Sequence, residues 1–416
     1  MSGKRTVVIG AGVIGLATAY SLMKRGRQVV VVDQGEPGEA CSKGNAGWIT
    51  PSISAPIPAP GLTWTSLKWM LSSGSPLYIA PGAVPSMARW LWRFWRHCNQ
   101  VDFERGLKAV AELNRRTMPL FEQLQQEGVS IELHRQGLLF AFLKDSYMRG
   151  VLAEFDYYRQ YGYQVPKPLS GSELRTLEPG LSASVTSGFL VGEEWHVRPE
   201  TLSAGYLAKL KAAGCTVRTG ASVRGIVASA GRVQSVDTTA GTEPADEVVV
   251  AAGAWTGEVV AQLGVRLPVQ AGKGYSITVS GGGPTLKRPV YLGEARVGCS
   301  PFDGAVRFAG TMELSGVNTN LDRRRIVGIR KGIAEYLTTP VAADAGVEWV
   351  GMRPLTPDGL PMLGRVPGFT NAFVATGHAM LGVTLAPTTG EAMADLIVDG
   401  TADPVLAPFE PGRFRW

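Results

Sequence analysis

The sequence predicts an α/β fold organised around a Rossmann-type dinucleotide-binding unit, and three observations predict it. An apolar, β-branched run at residues 6–9 leads straight into Gly10, Gly12 and Gly15. A second apolar run at 29–32 closes on an acid, Asp33. Far downstream, a third apolar run at 247–251 is followed by Ala252, Gly253 and Trp255, small residues standing where a backbone must come close to a ligand.

Residues 6–9 read as a buried parallel strand, because both faces of such a strand are covered and no alternation is needed. Residues 16–24 read as a helix whose broad apolar face carries Ile14, Leu16, Ala17, Ala19, Tyr20 and Met23. Gly26 ends it as a C-terminal glycine does. The run 29–32 is the second strand. In this register Gly10 makes the tight turn, Gly12 lets a pyrophosphate approach the backbone, and Gly15 lets helix and strand pack closely. The helix start at Val13 and Ile14 directs free N–H groups at the phosphates. Asp33, with Gln34 after it, stands where a ribose hydroxyl is accepted, and an acid there disfavours the 2′-phosphate of NADP.

Composition excludes several classes. The chain has 416 residues, 45% hydrophobic and 18% charged, which is ordinary for a folded protein of two to three domain-sized units. Four scattered cysteines and four scattered histidines offer no disulfide framework and no metal-ligand spacing, so no metal is expected. Dispersed cysteines fit a reducing, cytoplasmic location. A net charge of +6 is mild and does not call for nucleic acid. No signal peptide is expected at the start. The uncharged stretch 69–88 is broken by Pro76, Pro81 and Pro85, so no membrane-spanning helix is expected.

Three further stretches carry small residues and fixed turns. The loop 37–47 contains Cys41, Ser42, Asn45, Ala46 and Gly47. The stretch 351–364 contains Arg353 before Pro354, then Pro357, Asp358 and Gly359. The stretch 373–387 contains Gly377, His378, Leu381, Gly382, Val383 and Thr384 and leads into a helix at 390–398. Together with Lys273-Gly274-Tyr275 and the tail Phe409 to Phe414, these motifs make the chain resemble the FAD-dependent D-amino acid oxidase superfamily over nearly its whole length. It is most similar there to the bacterial D-amino acid dehydrogenases, with glycine oxidase-like enzymes further off.

The resemblance implies FAD as cofactor and two domains. An FAD-binding domain would use residues 1–55, 197–264 and 346–416. An inserted α+β substrate domain on a large mixed sheet would use 56–196 and 265–345. Val223, after Ala221, matches the element whose backbone meets adenine. The resemblance also implies oxidation of an amino acid at its α-carbon, with hydride passing to flavin N5 and the product hydrolysing to a 2-oxo acid and ammonia. Electrons would leave to a quinone or other carrier. An oxidase or dehydrogenase of glycine, sarcosine, hydroxyproline or an opine, and a flavin-binding subunit of a membrane electron-transfer complex, remain alternatives.

Such chemistry needs an anchored carboxylate and a correctly aimed Cα–H more than it needs a strong base. Arg353 is the expected anchor, since a guanidinium grips a carboxylate bidentately and keeps its charge; it also belongs to the expected cofactor-contacting set. Tyr275 is expected to bond the carboxylate or cap the pocket. His378 is expected to brace the flavin or act on the substrate, and the helix start at 380–384 to stabilise negative charge at flavin N1 and O2.

One segment stands apart. From Ala40 to Val101 there is no Asp or Glu, while Lys43, Lys68, Arg89, Arg93 and Arg96 fall in it together with Trp64, Trp69, Trp90, Trp92 and Trp95. Residues 86–96 read as a short basic amphipathic helix. The 64–96 segment suits either a lipid interface, which would be the inner face of the plasma membrane, or a packed cover on the substrate domain.

Overall fold

A computed structural model describes residues 3–61, 77–400 and 402–414. Trp64, Lys68 and Trp69 lie outside the described residues. The first sheet has six strands in the order Thr216–Arg218, Gln28–Val32, Arg5–Ile9, Glu247–Val250, Ala372–Thr376 and Met362–Arg365. All neighbours are parallel except the last pair. Val7, Val8, Val31, Val32, Val248, Val249 and Val250 are fully buried along it. That accounts for the unbroken apolar runs: each strand is covered on both faces.

One cover is helical. Helix Val13–Lys24 lies against helix Gly382–Asp399, and Gly390 permits the contact, since a Cβ there would come within 2.6 Å of the Ala17 carbonyl oxygen. Helix Pro199–Ala212 packs beside them. The opposite face carries the antiparallel strands Val223–Ser229, Arg232–Thr238 and Gly241–Pro244 and the short helix Thr256–Ala261. The C-terminal helix begins at Gly382, within the helix start expected at 380–384, and continues unbroken through the helix expected at 390–398. Pro387 sits inside it, in the early turns, and does not end it.

The second sheet is mixed. Its path runs Val347–Leu355, Gln270–Ser280, Ala305–Leu314, Val297–Phe302, Val290–Leu292, Leu138–Phe142, Ser187–Val191, Pro168–Ser170, and Leu77–Ile79 pairs with Ala305–Leu314. Helix Arg323–Tyr336 covers one face through Ile326, Ile329, Ile333 and Tyr336. Strand Val347–Leu355 departs from the expected boundary at 346: it belongs to this sheet, paired antiparallel with Gln270–Ser280 from Gln270↔Leu355 to Thr278↔Val347. Only after Leu355 does the chain return to the dinucleotide sheet. The reason is backbone pairing, which the glycine-rich stretch around Gly351 hides from a reading of side chains.

Candidate active site

A cavity opens at the carboxyl ends of the parallel strands. Gly10, Gly12, Val13 and Ile14 line it after the first strand, Asp33 and Gln34 after the second, and Ala252, Gly253 and Trp255 after the fourth. Ser42, Asn45, Val223, His378, Gly382 and Val383 complete the expected set that the structure brings together there. Gly10 has φ +111°, and a Cβ on it would strike the Ala251 carbonyl oxygen at 2.4 Å. Gly12 differs: a Cβ there meets nothing nearer than Ser42 Oγ at 3.5 Å, so the space it leaves belongs to the cavity. Asp33 accepts hydrogen bonds from Ala11 N–H (2.6 Å) and Gly35 N–H (2.8 Å), while burial pushes its carboxyl up. Ser42 Oγ accepts from Val13 N–H at 3.0 Å, tying the loop 40–47 to the helix start.

Several expected contacts shape the cavity without lining it. Gly15 allows helix and strand to touch, since a Cβ would lie 1.9 Å from the Gly10 carbonyl oxygen. Gly47, at φ +76°, is pressed against the Val197 carbonyl, and the Ala46 carbonyl accepts from Ser300 Oγ. Gly377 and Ala379 both carry positive φ, and Leu381 N–H closes the turn on the His378 carbonyl at 2.7 Å. That tight turn aims the start of helix Gly382–Asp399 at the cavity. Thr384 hydroxyl is turned away and donates to the Trp48 carbonyl at 2.9 Å.

His378 is buried, with Nε2 3.0 Å from Thr389 Oγ1. Burial pushes its pKa down to about 3, so the ring is neutral. Nδ1 is buried and has no hydrogen-bond partner among the described residues. Cys41 lines the cavity as an inert thiol, pushed up to about 11 by burial despite the nearby Arg353 guanidinium.

Arg353 is flanked by two cavity-lining residues, Met352 and Pro354, and itself points to the other face of its strand. Strand alternation sets that direction, yet the guanidinium remains close to Cys41, which lines the cavity. The guanidinium lies flat over Gly274, where a Cβ would fall 2.2 Å from Cζ, and Nη1 donates to the Thr311 carbonyl at 2.9 Å. Burial pulls its pKa below the usual guanidinium value. Among the described residues no carboxylate lies within ion-pair distance of it, whereas Arg307, Lys273 and Arg413 each pair with an acid.

Tyr275 requires a correction. Gly272 pairs with Arg353, so Gly272, Gly274 and Arg353 share one face of the sheet and Tyr275 points to the opposite one. It is 1% exposed, and its hydroxyl donates to Glu313 at 2.6 Å beside Lys273, which pairs with the same carboxylate at 2.9 Å. It cannot reach a carboxylate held by Arg353.

The comparisons with known proteins follow this geometry. The family model described as FAD dependent oxidoreductase (DAO) matches residues 5–396. The chain belongs to this family. FAD is therefore its cofactor and redox chemistry its activity. A protein named D-amino acid dehydrogenase from Rhizorhabdus wittichii is 34% identical over 94% of this chain and 96% of its own. Another of that name from Chromohalobacter salexigens is 32% identical, over 94% and 95%. Among solved structures, glycine oxidase from Geobacillus kaustophilus superposes with TM-score 0.77 at 24% identity, over 99% of this chain and 100% of that one. L-proline dehydrogenase from P. horikoshii gives 0.77 at 18% identity, over 99% and 98%. At these identities the structural likeness establishes the shared fold.

The site residues fit the family's cofactor. Gly12 leaves the space a phosphate backbone needs, and the unpartnered His378 Nδ1 suits a polar ligand edge. Two residues escaped the sequence reading. Arg307, 3% exposed, donates to the carbonyls of Lys43 (2.7 Å) and Asn45 (2.9 Å) and pairs with Glu200. Trp349 lies flat over Gly44, where a Cβ would be 2.0 Å from its ring. Both reach across from the second sheet to hold the loop 40–47, and only the run of small residues in that loop hinted at such contact.

The tryptophan segment resolves into two faces. In helix Val84–His97, Met87 and Trp90 are buried, and Trp90 stacks on Phe94 and donates to the Pro268 carbonyl at 3.0 Å. Trp92 and Trp95 point outward at 54% and 58% exposure, with the Arg96 guanidinium 5.1 Å from the Trp92 ring. Among the described residues no helix is long and apolar enough to cross a membrane.

Proposed function

We propose that this chain oxidises D-amino acids, giving a 2-oxo acid and ammonia, and passes the electrons to a quinone or other carrier. The observation that carries this reading is Arg353: a part-buried guanidinium beside the cavity with no protein carboxylate to neutralise it among the described residues. A cation in that state favours an anionic ligand, and its planar fork matches a carboxylate. The D-configuration rests on the names of relatives at 30–34% identity over 94% of the chain.

The residues divide the work. Gly10, Gly12, Val13, Asp33, Val223, Ala252 and Gly253 would hold the dinucleotide, and His378, Gly382 and Val383 would hold the flavin end. FAD, when bound, supplies the acceptor for the hydride leaving Cα. Arg353 fixes the carboxylate, so that Cα is held in one orientation. His378, neutral and braced by Thr389, takes no proton near neutral pH; it serves as a fixed dipole. The helix start at Gly382 stabilises negative charge developing at its N-terminus. Loss of the hydride from Cα of the neutral amine leaves an iminium, which water hydrolyses to the 2-oxo acid and ammonium.

The outer face of helix Val84–His97 supports a peripheral site on an anionic membrane, where a lipid-soluble carrier would be met. Exposed Trp92 and Trp95 beside Arg96 are the residues an interfacial helix uses.

The test of the catalytic reading is anaerobic flavin reduction by a D-amino acid, its L-enantiomer and its amide, in parent and Arg353→Lys proteins. Lysine keeps the charge and loses the fork. The parent should prefer the free D-acid, and the variant should lose efficiency on the acid far more than on the amide. Equal losses on both would show that Arg353 serves the fold.

A further inference from the structure

The strand that meets Arg353 is broken at one place. Between Ala305–Leu314 and Gln270–Ser280, Tyr275 pairs with Gly310 but Lys273 pairs with Glu313, so Thr311 and Met312 together stand opposite Gly274. This is a β-bulge on the residue that carries the Arg353 guanidinium. Bulged positions with positive φ are usually filled by glycine, which adopts them freely. Here the residue is threonine at φ +62°. Of the four non-glycine residues with positive φ among those described, it alone is β-branched.

A strained residue in place of the unstrained choice points to a side chain with a task. The Thr311 carbonyl already has one, accepting from Arg353 Nη1 at 2.9 Å. Its hydroxyl has none: Oγ1 is buried and lacks a hydrogen-bond partner among the described residues. A buried hydroxyl normally finds a partner, because leaving one unpaired is costly. Oγ1 is only a few covalent bonds from the carbonyl oxygen that touches the guanidinium. Gly274 opposite offers no side chain, and Met312 offers at best a weak sulfur acceptor.

We propose that Thr311 is a second substrate-binding residue: its hydroxyl donates a hydrogen bond to the carboxylate that Arg353 grips. The bulge sets both groups on one residue next to the guanidinium. The carbonyl orients the guanidinium and the hydroxyl meets the anion. The substrate class that this pair selects is an α-carboxylate presented to a three-donor edge, two donors from Arg353 and one from Thr311. The proposal rests on Arg353 being the carboxylate anchor.

The test uses the FAD-loaded protein and two probes: propanoate, followed through the change it causes in the flavin absorbance, and D-alanine in anaerobic reduction. In Thr311→Val, the propanoate dissociation constant and the D-alanine KM should rise roughly 10- to 100-fold, as for one lost hydrogen bond to a charged group. The limiting rate of reduction should stay near that of the parent, and FAD content should not change. Thr311→Ser keeps the hydroxyl and should bind like the parent. Thr311→Gly relieves the backbone yet lacks the hydroxyl, so it should weaken as Thr311→Val does, and it decides the matter if the valine protein does not fold. Parent-like propanoate binding in the valine and glycine variants overturns the proposal. So does a loss in Thr311→Ser equal to that in Thr311→Val. Arg353→Lys separates the two readings. If it binds propanoate normally, the anchor fails and Thr311 with it; if it is weak while Thr311→Val and Thr311→Gly are normal, Thr311 alone is refuted.

Discussion

Gly274→Ala is the most economical perturbation of the carboxylate anchor, because it touches Arg353 without altering it. The added Cβ would stand 2.2 Å from Cζ and Nη2 and 2.3 Å from Nη1. Carbon contacts begin near 3.5 Å, so the guanidinium must move by more than about 1 Å. Gly274 does not carry a left-handed φ, so alanine adds no backbone strain. The atom displaced is the tip of a flexible side chain, so the fold should accommodate it. The hydrogen bond to the Thr311 carbonyl and the alignment with the carboxylate would not survive. A misplacement of this size costs about 100-fold in efficiency, and complete loss of a buried charged pair about 2–5 kcal/mol. The assay is stopped-flow reduction by D-alanine over a range of concentrations, with FAD content and melting temperature measured on the same preparations. The expected result is a raised KM and a kcat/KM lowered on the order of 100-fold, with cofactor content and melting temperature close to the parent. An unchanged kcat/KM in a protein of normal stability would refute the reasoning, since the guanidinium cannot both stay in place and make room.

Gly12→Val should lower FAD content sharply, because its branches enter the space facing Ser42 and the cavity; normal, acid-releasable FAD in the purified variant would contradict this. The double substitution Trp92→Ser, Trp95→Ser should reduce sedimentation with phosphatidylglycerol vesicles at low salt while leaving D-alanine oxidation in solution intact; unchanged sedimentation would leave those side chains no role at lipid. His196 is fully buried, its Nε2–H donates to the Pro301 carbonyl at 2.8 Å, and burial pushes its pKa down to about 4 from the ordinary 6.5. The unfolded chain therefore binds the proton more readily, and stability falls as pH drops from 6.5 towards 4, by at most about 1.4 kcal/mol per pH unit. Unfolding of His196→Gln by urea at pH 7 and pH 5 should show a smaller pH dependence than the parent; an equal dependence would place the acid sensitivity elsewhere.

Much of the dinucleotide unit was legible because its causes are local. Gly10 must take a positive φ to turn, Gly15 must let helix and strand touch, and Gly26 must end the helix, and each demand falls within a few residues of the next. The cavity-lining set from Gly10 to Val383 follows from the same logic, since small residues after strands mark close approach. Tyr275 was misread for a reason that is equally physical. It is two residues from Lys273 and within reach of Arg353 along the chain's pairing, yet the register Gly272↔Arg353 turns it to the other face. A shift of one residue would have reversed the answer.

Residue type and spacing alone determined that this chain holds a dinucleotide, and they pointed to the arginine before a proline that we propose as its anionic anchor. Tertiary structure decided which face that arginine uses, that Gly274 makes room for it, that Thr311 bends into strain beside it, and that Arg307 and Trp349 reach across to hold the loop 40–47. The division has one cause. Turn geometry and strand burial depend on neighbours in sequence, whereas facing, register and charge pairing depend on residues tens to hundreds of positions away, brought together only when the sheets close.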